Sequence, residues 1–157
     1  MLYKRFLPAC IAFSLLIACN SNTHTNSDTI FVNNSGHRIL IASYSQGKLM
    51  SNSEIQIAVS QNAIYKTGNR GLSTGGTSYA SHMLPADSII VTYDESIKKS
   101  HHSYKNLGGT NGIKYDDPRN LLNEKNYVLN IRESTKKRQE LEYRYTFSKE
   151  DYEEALK

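Results

Sequence analysis

Apolar and polar residues alternate with a period of two along much of the chain, and that period predicts strands with one buried face. The clearest stretch is 140–147: Leu141, Tyr143, Tyr145 and Phe147 take one face, and Glu140, Glu142, Arg144 and Thr146 the other. Tyr127, Leu129 and Ile131 alternate with Val128, Asn130 and Arg132 in the same way. The link 134–139 makes a hairpin of the two, with Lys136, Lys137 and Arg138 at its tip. Ile55, Ile57 and Val59 alternate with Glu54, Gln56 and Ala58. The run 88–94 is denser, with Ile89, Val91 and Tyr93 against Ile90 and Thr92, as a central strand would be. The runs 29–32 and 38–44 flank Asn33-Asn34-Ser35-Gly36, whose Asn and Gly tolerate positive φ, so the pair reads as a hairpin. Residues 63–67 form a weaker strand candidate.

Between these runs lie segments without periodicity. Residues 68–78 (GNRGLSTGGTS) have neither the GxGxxG order nor the Gly-Lys-Ser/Thr ending of a phosphate cradle. They read as a long loop, and as the candidate binding loop, with Arg70 in it and Tyr79 at its end as the residues offered for contact. The polar run 96–112 reads as a second loop. His101 and His102 are adjacent, so in extended chain they point to opposite faces. Zinc needs three or four convergent ligands, and no metal site is expected. Asp116-Asp117-Pro118 lacks the spacing of a calcium loop and reads as a turn, followed by a helical turn over Arg119-Asn120-Leu121-Leu122. At the C-terminus Ser148 is a suitable N-cap, with Asp151 three positions on. Glu150 and Asp151 complement the helix dipole, and Tyr152, Ala155 and Leu156 form one apolar stripe. So short a helix holds only if that stripe docks.

Several short strands between Gly- and Asn-rich turns predict an all-β fold, an immunoglobulin-like antiparallel β-sandwich of about seven strands with a short C-terminal helix. A small β-barrel is the alternative.

The first residues follow a different pattern. Lys4 and Arg5 precede Phe6–Ile17, a run without charge that is too short for a bilayer core of ~30 Å, which takes ~20 residues. It has the layout of a secretory signal. At its end, Leu16-Ile17-Ala18-Cys19 resembles the bacterial lipobox. That resemblance implies cleavage between Ala18 and Cys19 and attachment of diacylglyceryl and palmitate-type chains at Cys19. One chain anchors marginally at ~0.8 kcal/mol per methylene, whereas two or more hold firmly. The expected organisation is a signal peptide over 1–18, the lipidated cysteine and a polar tether over 19–28, and the β-sandwich domain over 29–157. A flexible tether of that length reaches ~15–18 Å. His24, within it, reads as solvated.

Loss of residues 1–18 takes Lys4 and Arg5 from the 19 basic residues, and the net charge falls from +4 to +2. Nothing then points to nucleic acid, which wants a clustered basic face. Cys10 would leave with the signal and Cys19 carry lipid, so no disulfide supports the fold. A G-x-S-x-G elbow, an H-E-x-x-H motif and a thiol nucleophile are all missing, and the chain reads as a non-enzyme without cofactors. Tyrosine is abundant and tryptophan absent. Tyrosines at alternating strand positions read as core residues with hydroxyls at its rim, and a sugar-stacking face is the alternative.

The Asn33–Gly36 turn, the strand Asp87-Ser88-Ile89-Ile90-Val91, Arg119–Leu122 and above all Tyr145-Thr146-Phe147-Ser148-Lys149-Glu150-Asp151-Tyr152 resemble a family of small Gram-negative lipoproteins. The resemblance implies no activity and carries over no functional residue besides Cys19. Asn20 in place of Asp after the cysteine points to the outer membrane, facing the periplasm, with the cell surface as the alternative. The function expected is that of a non-enzymatic binding or structural accessory of the cell envelope, held to the membrane by its lipid and contacting an envelope protein or glycan. The alternative is an immunity protein or inhibitor of an envelope-targeting enzyme, with the 68–78 loop as its inhibitory element.

Overall fold

The computed structural model describes residues 24–67, 78–83, 85–103, 112–135 and 138–157. Two sheets face each other across one core. The first contains β1 (His24–Asn33), β5 (Asn62–Thr67), β9 (Val128–Ser134) and β10 (Arg138–Phe147), in the order β5-β1-β10-β9. The second contains β2 (Ile39–Ser45), β3 (Lys48–Leu49), β6 (Ser88–Tyr93), β7 (Ile97–His102) and β8 (Gly112–Ile113), in the order β3-β2-β6-β7-β8, with β4 (Ile55–Ile57) also paired to β2. A short helix α1 (Tyr79–His82), a 3-10 turn (Glu124–Asn126) and helix α2 (Lys149–Ala155) complete the chain. Among the described residues neither sheet closes on itself, so the fold is an all-β sandwich and not a barrel.

The expected antiparallel pairing holds for all but two strand pairs. β1 runs parallel to β10, from His24 opposite Arg138 to Asn33 opposite Phe147, and β7 runs parallel to β8. The core is made by the faces that the alternation predicts. Phe31, Leu141, Tyr143, Tyr145 and Phe147 of the first sheet meet Ile39, Ile41, Ile89, Val91 and Tyr93 of the second. Phe31 lies edge-on to Tyr79, with ring centroids 5.1 Å apart. Helix α2 is capped as its sequence predicts: Ser148 Oγ accepts the Asp151 N–H, and the Asp151 carboxylate accepts the Ser148 N–H at 2.7 Å. Tyr152 and Ala155 pack against the core, while Leu156 is exposed.

Four local readings change. Residues 33–36 do not close a hairpin, because β1 and β2 belong to different sheets. The buried Asn33 forms the corner instead: its Nδ2 donates to the carbonyls of His37 and Ala58, and its Oδ1 accepts from Ser35 N–H and Oγ. Residues 24–28, read as tether, extend β1 along β10, since ladder hydrogen bonds are made by the backbone whatever the side chains. The polar run at 97–102, read as loop, is strand β7. It pairs with β6 through the turn Asp94–Ser96, where Asp94 and Glu95 both have positive φ. His37 Nδ1 and the Arg38 N–H donate to the Asp94 carboxylate and hold that turn in place. Residues 119–122 form consecutive turns rather than a helical one, and the helical hydrogen bonding begins at Glu124.

Candidate functional site

Among the described residues, Leu49, Val59, Ile64 and Leu156 are exposed singly, and the edge strand β9 is the element that leaves three large apolar side chains uncovered together. All seven of its residues are exposed, including Val128 at 63%, Leu129 at 48% and Ile131 at 58%. Its neighbour β10 supplies four buried core residues. The register places Leu129 opposite Tyr143 and Ile131 opposite Leu141, and directly opposed residues share a face. Leu129 and Ile131 therefore project to the core side of the sheet, beyond the part that the second sheet covers. On the outer face Val128 lies opposite Arg144 and Asn130 opposite Glu142. The ladder shifts register between Glu140 and Leu141 of β10, leaving Arg132 of β9 as the extra residue of a bulge.

That outer face is locked by a carboxylate. The Glu142 side chain is only 6% exposed and is gripped by Arg132 on one oxygen and by Arg144 at 2.9 Å on the other. Asn130 Nδ2 donates to the latter oxygen at 3.4 Å, and Arg132 also reaches Asp28 at 3.9 Å. Two cations around one nearly buried carboxylate satisfy its charge, which burial alone would penalise. The network joins β1, β9 and β10.

Concave sites are open and internally neutralised. A depression of about 410 Å³ is lined by Arg38, Leu40, Gln56, Gln61, Thr92 and Glu95 among others. A second, of about 400 Å³, contains Lys99, Asp117, Arg119 and Glu154. There Arg119 pairs with Asp117 at 3.2 Å and Glu154 at 3.6 Å, and Lys99 pairs with Glu154 at 3.6 Å. Burial pushes the Asp117 carboxyl up, but the hydrogen bonds from Arg119 outweigh it and the net displacement is downward. These pairs tie α2 to the 117–119 turn. The ring of His37 stacks on Tyr152 with centroids 3.5 Å apart, fastening the same helix from its other side.

The histidine pair divides as adjacent strand residues should. His101 faces inward and is buried, and His102 faces outward. Burial pushes the His101 imidazole down to about 3, with the Asp117 carboxylate pulling the other way. Its Nδ1 accepts the Leu121 N–H at 3.3 Å, which leaves the proton of the neutral ring on Nε2. No group of three or more potential metal ligands occurs among the described residues.

The residues singled out in the sequence fall in different places. Ala18, Cys19 and Arg70 lie outside the described residues. Tyr79 is on α1, fully buried, with its hydroxyl 2.8 Å from Ser43 Oγ and its N–H donating to Thr29 Oγ1. It braces the core, and burial pushes its phenol well up. Other tyrosines do the same: the Tyr127 hydroxyl donates to the Leu121 carbonyl and the Tyr145 hydroxyl to that of Arg119. The exposed β9 surface was not singled out in the sequence, because alternation marks a strand without marking what covers it. The signal that was available is Val128 and Leu129 in succession, apolar on both faces of one strand.

In comparisons with protein families, curated proteins and solved structures, nothing matched this chain.

Proposed function

We propose that this chain is a lipid-anchored envelope protein that works as a non-enzymatic binding or structural accessory, and that its contact surface is the free edge of β9. The observation that supports the binding role is the placement of Val128, Leu129 and Ile131, exposed together on a strand whose second edge has no strand paired to it among the described residues. Exposed backbone donors and acceptors beside apolar side chains suit the addition of a strand, with the backbone supplying affinity and side chains specificity. The anchoring half of the proposal rests on Leu16-Ile17-Ala18-Cys19 and the uncharged run before it. No helix among the described residues is long and apolar enough to cross a membrane, and the lipid at Cys19 is the attachment proposed. The proposed site is the outer membrane, with the domain facing the periplasm.

The two halves are tested on the full chain in the cell. Cys19→Ser is expected to abolish labelling by palmitate and to release the protein from membranes; a variant that still takes up label overturns the anchor. Extracted in mild detergent, the unaltered chain is expected to sediment above its monomer mass. The pair Leu129→Lys and Ile131→Lys together should return it to that mass. An extract that holds only monomer counts against the edge as a contact surface.

A further inference from the structure

Resting on β9 as the contact surface, we infer that the strand added at this edge is the β9 of a second copy, giving a two-fold dimer centred on Asn130. The other edges of the two sheets carry the features that discourage strand addition. β3 and β8 are two residues long and β4 is three, and β5, six residues long, presents Lys66 two positions from its single exposed large apolar side chain, Ile64. The half of β9 from Val128 to Ile131 has no charge, glycine or proline, and its first charged residue, Arg132, is turned onto Glu142 and Asp28 of its own sheet. This half is therefore open to a partner strand.

Its sequence selects the partner. Antiparallel strands related by a two-fold axis normal to the sheet keep their faces aligned, so one residue must sit opposite itself. Centring on Asn130 puts Leu129 opposite Ile131 of the partner, and Ile131 opposite its Leu129, on the core side. On the other face Asn130 meets Asn130, two amides that can donate and accept in both directions. Val128 lies against the aliphatic stem of the partner's Arg132. Moving the centre one residue up sets Ile131 against Tyr127, which is buried and unavailable. Moving it one residue down sets Leu129 against Glu133. Only the Asn130 register matches the two exposed core-side residues with each other. In it the two four-stranded sheets form one continuous sheet of eight strands, and the uncovered apolar side chains cover each other.

The experiment uses cysteine cross-linking of the full chain in mild detergent, with the unaltered chain as the background for Cys10 and Cys19. Across the proposed axis Asn130 and its twin lie ~4.5–5.5 Å apart at Cα, within the reach of a disulfide. Asn130→Cys should therefore cross-link to a dimer under mild oxidation. Val128→Cys should not, because its twin is displaced by four residues, but a mixture of Leu129→Cys and Ile131→Cys chains should give the mixed dimer. Leu129→Lys with Ile131→Lys should weaken dimerisation at least tenfold while the circular dichroism stays unchanged. Equal cross-linking by Asn130→Cys and Val128→Cys would overturn the register. A purified chain that stays monomeric at tens of micromolar, with Asn130→Cys giving no dimer above background, would overturn self-pairing. If Asn130→Cys then joins a different polypeptide in intact membranes, β9 remains a contact surface and only its occupant is wrong. If it joins nothing there either, both proposals fall.

Discussion

β9 and β10 are the two strands of one hairpin, alternate in the same way in sequence and share a ladder from Arg144–Val128 to Gln139–Ser134. Yet Leu141, Tyr143, Tyr145 and Phe147 are buried, while Leu129 and Ile131, on the same face, are 48% and 58% exposed. The difference comes from neither strand itself. β10 is flanked by β1 and β9 and lies under the second sheet; β9, among the described residues, is flanked on one side and its apolar face is left exposed. Alternation reports that a segment is a strand with two unlike faces, and position in the sheet decides whether the apolar face is used for folding or left for contact.

The largest expected effect comes from comparing equivalent truncations across this hairpin. Phe147→Ala should destabilise the fold by ~3–5 kcal/mol, by transfer and cavity terms together. Leu129→Ala should cost less than ~1 kcal/mol in a chain kept monomeric, since little buried area is lost. Urea unfolding of both variants measures the contrast, and similar losses at the two positions would mean that β9 is covered after all.

The link between the strands gives a smaller effect. Glu142→Gln keeps the shape of the side chain but removes the charge that Arg132 and Arg144 share, with an expected loss of about 1–3 kcal/mol. The loss should shrink when Arg132 is removed first, and a double-mutant cycle between the two positions reads the coupling. Additive losses would show that the grip on β9 is not energetic.

The mildest perturbation is acid, and it separates a buried strand position from its half-buried neighbour. His101 of β7 has its pKa lowered to about 3 by burial, against an unfolded value of ~6.5. The unfolded chain therefore binds the extra proton between those values. Stability from this group is complete above pH ~6.5 and declines as the pH falls towards 3, by at most ~1.4 kcal/mol per pH unit. The adjacent His102 faces outward. His101→Gln should flatten the pH dependence of urea midpoints in that window, and His102→Gln should leave it in place. An unchanged slope in His101→Gln would remove His101 as its origin.

The long strands, the inward faces of β6 and β10, and the capped C-terminal helix were legible because each rests on local chemistry: period-two alternation, or a serine with an aspartate three residues on. β7 was hidden because Lys98, Lys99 and Ser100 break the apolar pattern, and because its turn uses Asp94-Glu95 where Asn-Gly or Asp-Gly would have signalled a hairpin. The corner at Asn33 had the composition of a turn. Only its bonds to His37 and to Ala58, in a distant segment, made it a passage between sheets. Tyr79 sat beside a glycine-rich loop in sequence, yet its ring fills space between Phe31 and Tyr65.

By itself the sequence determined the strands that alternate, where the last helix begins, and that tyrosines at alternating strand positions would serve the core. These follow from interactions between residues a few positions apart. Tertiary structure alone decided that the first long strand lies parallel to the last, that His101 is enclosed, and that β9 ends up at an edge. Those outcomes depend on which sheets meet and how far each extends. A strand's own sequence carries the potential to be buried on one face, but burial is a property of the pair of surfaces, and the second surface comes from elsewhere in the chain.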